Sequence, residues 1–422
     1  MPAIPSWLTK ILAPLLAVLA LLGTPVLLHT PKADADPAVV AVKEATGGFM
    51  TGVCHPGTNY KALKGANIGW IRVDIPYPFN EDGSVSPYYK LWKKQMRAYK
   101  KHGIKVLAVT PYPGTFLEHG VDIRDDANIP YVQHVARYLM KNLRGIVNAY
   151  QITNEMGVDR FTLPFTMEEA AKFIGVQAEA MAAIKAPDEI IGYNLGGLGY
   201  VKLPPLMTEF NQYVDYVGID IYLGCFEPVT KTIGEFMALL QYARKVSGKP
   251  VLLSEFGYIS CGEVKTREEK DALLQERYGF ENEAAARADI DTFISRLPDR
   301  LRNEIQRNYS DRSAEEKAEL IFDGEYANHI YCELAEGTRL LGYPHTPDGQ
   351  AQFYTDVLER LGKLDYLIGA FVYMWNDSEM CYVCGQPDCP VETGWGLVDG
   401  QGNKKPSYDA VRDGFAKLKT ED

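Results

Sequence analysis

Residues 147–155 read Val-Asn-Ala-Tyr-Gln-Ile-Thr-Asn-Glu, and residues 250–257 read Pro-Val-Leu-Leu-Ser-Glu-Phe-Gly. Each is a short, β-rich apolar run that stops at a glutamate, Glu155 or Glu255. Nearly continuous apolar content, rather than strict alternation, is what a strand covered on both faces requires. Similar runs recur at 48–53, 68–75, 105–110, 190–195, 214–222 and 367–375, eight in all. Between them, 88–102, 130–142, 167–184, 233–246 and 350–361 carry the apolar spacing of amphipathic helices. Thr166 before Met167-Glu168-Glu169 and Thr346 before Pro347-Asp348 offer N-caps. Eight strand–helix units predict an α/β chain folded as a (β/α)8 TIM barrel. The alternative is an open doubly wound sheet, with fewer strands and a glycine-rich phosphate loop after the first one. Gly47-Gly48 and Gly196-Gly197 do not make that loop.

One interval is too long for a simple connection. The helix at 350–361 accounts for its end, so 262–345 is read as a mainly helical insertion between strands seven and eight. It is dense in Glu, Arg, Asp and Lys, and Ile290, Phe293, Ile294 and Leu297 would form its dry face. It leaves from the strand that carries Glu255, where βα loops gather, so it reads either as a solvated helical excursion or as a cap folded over the barrel mouth.

Composition narrows the function. The 422 residues hold 44 basic and 55 acidic side chains, net −11. No basic surface dominates, so no nucleic acid partner is expected. Hydrophobic residues at 46% and charged residues at 23% exclude wholesale disorder. Lys10 precedes an uncharged stretch, 11–28, and then the small-x-small pattern Ala33-Asp34-Ala35. Residues 1–35 therefore read as a signal peptide cleaved near Ala35, or as a signal anchor. Either places the barrel domain, 36–422, outside the cytoplasm, secreted or anchored; a membrane is a partner only if the segment stays uncleaved. Of the seven cysteines, Cys54, Cys225, Cys261, Cys332, Cys381, Cys384 and Cys389, an exported chain would pair most as disulfides. The odd count leaves at least one thiol free or paired with another chain. The spacing Cys381-x2-Cys384-x4-Cys389 also suits zinc, but no second Cys-x2-Cys or nearby histidine accompanies it. Disulfides are the expectation, and metal is not.

The C-terminal ends of barrel strands gather at one mouth. Glu155 and Glu255, ending strands four and seven, would face each other there. Cleavage of a glycosidic bond needs such a pair, one carboxyl to protonate the leaving oxygen and one to attack the anomeric carbon. The Asn154-Glu155 pair and Ser254-Glu255-Phe256-Gly257 together resemble the clan of retaining (β/α)8 glycoside hydrolases, in the style of families 5 and 39, over about 48–418. That resemblance implies Glu155 as acid/base, Glu255 as nucleophile and Asn154 as donor to the sugar 2-hydroxyl. Arg72 matches the strand-two arginine beside the nucleophile, and Tyr222 the tyrosine that donates to it. Trp375 matches the tryptophan under the sugar. His55, near the end of strand one, could also touch sugar. Asp220 departs from the pattern, standing where the clan often has histidine. The implied activity is retaining hydrolysis of β-linked oligo- or polysaccharide, with a carbohydrate partner and no cofactor. A transglycosylase would use the same residues; a non-catalytic glycan-binding barrel would have lost one of the glutamates.

Overall fold

The computed structural model describes residues 36–420 apart from 226–231, 263, 325, 335–339 and 388. The expected signal peptide or anchor, 1–35, lies outside the described residues. Within them, no helix is long and apolar enough to cross a membrane.

Eight strands close into one barrel: β1 (Met50–Cys54), β2 (Trp70–Asp74), β3 (Lys105–Val109), β4 (Ala149–Met156), β5 (Ile190–Leu195), β6 (Tyr216–Ile221), β7 (Val251–Phe256) and β8 (Leu367–Val372). Every neighbouring pair is parallel, including β8 with β1. Each strand falls on one of the apolar runs, displaced by a few residues at most. The amphipathic stretches are helices at Pro87–Lys101, Ile129–Leu143, Met167–Ala182, Ile233–Ser247 and Pro347–Leu361. Thr166 caps its helix in a reciprocal box with Glu169, and Thr346 accepts from the Gly349 amide.

Strand periodicity divides the core in two. Ile71, Val106, Tyr150, Ile191, Val217 and Leu253 face out, into the layer shared with the helices. Met50, Trp70, Leu107, Ala149, Ile190, Tyr216, Leu252 and Ile368 form a separate cluster that fills the barrel. Val39 and Val42 join this cluster from helix Pro37–Thr46, which Asp36 caps and which touches both β5 and β8. That helix closes the N-terminal end. Two or four residues further along the strands, on the same inward face, the side chains turn polar. Arg72, Gln151, Asn194, Asp220 and Ser254 are all buried there. Apolar filling therefore ends one layer below the mouth, and the site begins.

The insertion is helical as expected, with helices at Arg267–Tyr278, Glu283–Ala288, Ile290–Ser295, Asp299–Tyr309, Ala314–Phe322 and Ala327–Tyr331. Ile290, Phe293, Ile294 and Leu297 are buried together with Leu273, Tyr278, Leu301 and Phe322. The expected disulfides are absent from the described residues.

Gly52 in β1 shows how tightly the barrel is filled, since a Cβ there would lie 2.2 Å from two carbons of the Phe371 ring. Gly52→Ala should cost about 1–3 kcal/mol by overpacking. Combining it with Phe371→Leu should cost less than the sum of the two single changes, because the smaller side chain frees the space. Denaturant midpoints check this, and strict additivity would contradict the packing account.

Candidate active site

The two glutamates reach the mouth through breaks in strand regularity. In β4, alternation that points Ala149 and Gln151 inward would point Asn154 outward. The β4–β5 register instead shifts between Ile152 and Met156, and Thr153 and Glu155 have positive φ of 59° and 44°. Left-handed backbone at non-glycine residues costs of order 1–3 kcal/mol each and collects at functional sites. The irregularity brings Asn154 and Glu155 to the mouth together. In β7 the register with β8 shifts between Leu253 and Phe256, so Ser254 and Glu255 both belong to the polar layer.

Arg72 joins the two strands. Its Nη1 pairs with Glu255 Oε1, its Nη2 donates to Asn154 Oδ1, and its Nε donates to Gln151 Oε1 at 3.0 Å. The Tyr222 hydroxyl, just past β6, donates to the other Glu255 oxygen. Glu255 is therefore buried, at 7% exposure, with a donor on each oxygen. Asn154 Oδ1 also accepts from Gln151 Nε2 at 3.2 Å and Asn194 Nδ2 at 3.1 Å. Three donors on that oxygen fix the amide, leaving Nδ2 toward Glu155 Oε2 at 3.3 Å. Glu155 is only half-buried, and its backbone N–H donates to Asn194 Oδ1 at 2.8 Å. Thus Glu155, Glu255, Asn154, Arg72 and Tyr222 stand in one network.

Burial alone would lower the Arg72 pKa, but the carboxylates of Glu255 and Asp220 outweigh it and hold it well above its ordinary value. Burial and the Glu255 charge push the Tyr222 hydroxyl up, so it stays a donor. Asp220 lies between Asn194 Nδ2 at 2.5 Å and Ser254 Oγ at 2.6 Å. Burial first, then Glu255, raises its carboxyl well above the usual range against the pull of Arg72.

Trp375 stands apart from this network, whereas His55 lies beside it. Trp375 is 3% exposed; its ring meets Tyr408 edge-on at 5.9 Å, and a Cβ on Gly57 would touch it at 2.9 Å. The aromatic beside the site is Tyr373, directly after β8, with ring centroids 5.7 Å from Tyr222 and 5.3 Å from the exposed His55. Behind it the Tyr373 hydroxyl donates to Glu392 at 3.3 Å, a carboxyl that burial raises to about 7. Gln151, Asn194, Ser254, Tyr373 and Glu392 were not singled out from the sequence. The inward parity of β4, β5 and β7 could have found the first three; nothing local marks Glu392.

The insertion meets loops on the opposite side of the mouth. The Tyr309 hydroxyl donates to Asp159 at 2.9 Å and Arg160 lies 3.5 Å from Glu304, both at the loop after β4. Arg307 reaches Glu118 after β3 at 3.9 Å. A groove of about 790 Å³ lies on the loops after β2 and β3, lined by Tyr77, Phe79, Tyr88 and His119 and apart from the glutamates.

No protein-family model matches the chain, and no curated protein sequence matches it. Solved structures do. A family 39 glycoside hydrolase from the gut symbiont Bacteroides cellulosilyticus WH2 superposes with a TM-score of 0.54 at 14% identity, covering 88% of this chain and 64% of that one. The β-glucuronidase of Faecalibacterium prausnitzii gives 0.50 at 14% identity, covering 88% and 49%. This chain thus spans less than two thirds of either enzyme. At such identity the likeness shows the barrel fold, and both neighbours are glycoside hydrolases, the class that the strand-four and strand-seven motifs resemble.

Native Asp220 holds its proton more tightly than the unfolded chain does. Its contribution to stability is therefore complete below about pH 4 and declines as pH rises toward its folded value. Asp220→Asn cannot lose that proton. The stability of the variant relative to the parent should rise with pH above about 4. Urea midpoints across pH test this; a gap that does not change with pH would remove Asp220 as the titrating group.

Proposed function

We propose that the chain is a retaining glycosidase, with Glu255 as nucleophile and Glu155 as acid/base. The observation that carries this is the unequal treatment of the two carboxyls. Glu255 is buried and held on both oxygens by Arg72 and Tyr222, which fixes its position and aims it. Glu155 is half-buried, more exposed than Glu255, with Asn154 Nδ2 3.3 Å from its Oε2, a setting open to solvent that suits a group exchanging a proton each turnover. Glu255 attacks the anomeric carbon as the glycosidic C–O bond breaks, and the leaving oxygen takes the Glu155 proton. Water then displaces Glu255 and returns a proton to Glu155. Asn154 Nδ2, oriented by three donors on its oxygen, is placed to donate to the sugar 2-hydroxyl. Tyr373 is the ring placed to stack on sugar, in place of Trp375.

The apolar stretch at 11–28 favours an extracytoplasmic location. The contacts of Glu304, Arg307 and Tyr309 with the loops after β3 and β4 favour an insertion that crosses the mouth from β7 and shortens the cleft. Short β-linked oligosaccharides or chain ends then fit better than the interior of a long polymer.

Glu255→Gln should abolish turnover of good and poor leaving groups alike. Glu155→Gln should lose about 10²–10⁴-fold on poor leaving groups while sparing the first step on activated aryl glycosides. NMR of the first product should show the substrate's anomeric configuration. An inverted product, or the reverse mutant pattern, would remove these roles.

The insertion predicts its own readout. On a soluble β-glycan, reducing ends should accumulate with little fall in viscosity, because cleavage is confined to termini. A rapid viscosity drop at low conversion would contradict a capped cleft.

A further inference from the structure

The loop after β8 and the insertion converge on a cluster unrelated to the glutamates. Cys381, Cys384 and Cys389 come from the loop, and His329 comes from helix Ala327–Tyr331. All four are buried, and their ligand atoms lie within 4.8 Å of one another. Cys381 Sγ is 3.6 Å from His329 Nδ1. With zinc–sulfur and zinc–nitrogen bonds of about 2.3 and 2.0–2.1 Å, a tetrahedral ion separates sulfur from nitrogen by roughly 3.5–3.6 Å.

The loop is shaped around sulfur. Cys384 N–H donates to Cys381 Sγ at 3.5 Å, and Gly385 N–H closes the turn on the Cys381 carbonyl at 2.8 Å. Gly385 has φ of 72°, which a side chain would oppose although nothing crowds the position. Such a turn presents two sulfurs to one point, with one backbone N–H directed at the Cys381 sulfur. Cys332 is a fifth group beside the four. Its Sγ lies 3.9 Å from Cys384 and accepts from Arg277 at 2.8 Å. That sulfur separation is far from the bond of about 2.05 Å in a disulfide.

We propose that His329 Nδ1 and the thiolates of Cys381, Cys384 and Cys389 form a closed structural zinc site. Its role is to tie the insertion to the loop after β8. The same loop runs on through Cys389 into helix Pro390–Thr393, which carries Glu392 behind Tyr373. The site thereby anchors one wall of the candidate active site while supplying no open coordination position for chemistry. No histidine stands near the three cysteines in the sequence; the fold brings one from 52 positions away.

The test is elemental analysis of the full chain purified without chelator, with titration of free thiols under denaturing conditions before and after chelation. One zinc per chain is expected, as is a shielded set of cysteines that reacts once metal is removed. Cobalt substitution should give thiolate-to-metal charge transfer and the intense visible bands of tetrahedral geometry. His329→Ala and Cys384→Ser should lose the stoichiometric metal, and Cys332→Ser should keep it. Cysteines oxidised in pairs by intact mass, with no metal in the wild-type chain, would overturn the proposal even if every variant failed to fold. Retention of full zinc by His329→Ala with loss in Cys332→Ser would overturn the ligand set.

Discussion

The buried contact between Arg72 and Glu255 is the interaction on which the barrel mouth depends. A carboxylate taken out of water without a partner costs several kcal/mol, and so does a guanidinium. Neither could stand in the polar layer alone. Arg72 spreads its planar donors over two strands, to Glu255 on β7 and to Gln151 and Asn154 on β4. It therefore does more than neutralise Glu255. By occupying the Asn154 oxygen it helps turn the Asn154 N–H groups toward Glu155, so one cation arranges both carboxyls.

This layer fits because neighbouring strands give up side chains for it. A Cβ on Gly218 would stand 2.6 Å from Ser254 Oγ and 2.9 Å from Asn194 Cβ. On Gly196 it would stand 2.6 Å from Glu155 Cγ. Glycine at these two positions leaves room for the groups that hold Asp220 and for Glu155 itself. The unfavourable backbone at Thr153 and Glu155 persists because Asn194, Thr110 and the β5 ladder hold it, through Glu155 N–H and Thr153 N–H.

Above the layer, the fold is completed by chain far apart in sequence. The insertion buries its own apolar face and spends its polar face on Asp159, Arg160 and Glu118. The loop after β8 contributes Tyr373 on the site side and three cysteines on the insertion side. One loop thus serves both the wall beside the glutamates and the cysteine cluster.

The barrel was legible from residues alone because eight runs covered on both faces must be apolar nearly throughout, and because caps such as Thr166 and Thr346 act locally. Glu155, Glu255 and Tyr222 were legible because each stands at or just past the end of such a run beside recognisable neighbours, and Arg72 because it is a lone cation between apolar residues within one. What only the tertiary structure decided has a common physical origin. Strand bulges move Asn154 and Glu255 off the face that simple alternation assigns, and period-two reasoning cannot see them. Trp375 and Tyr373 are two residues apart, and only packing against Gly57 and Tyr408 takes the indole away from the mouth. His329 joins the cysteines by chain reversal through the insertion, a long-range closure that no local spacing encodes.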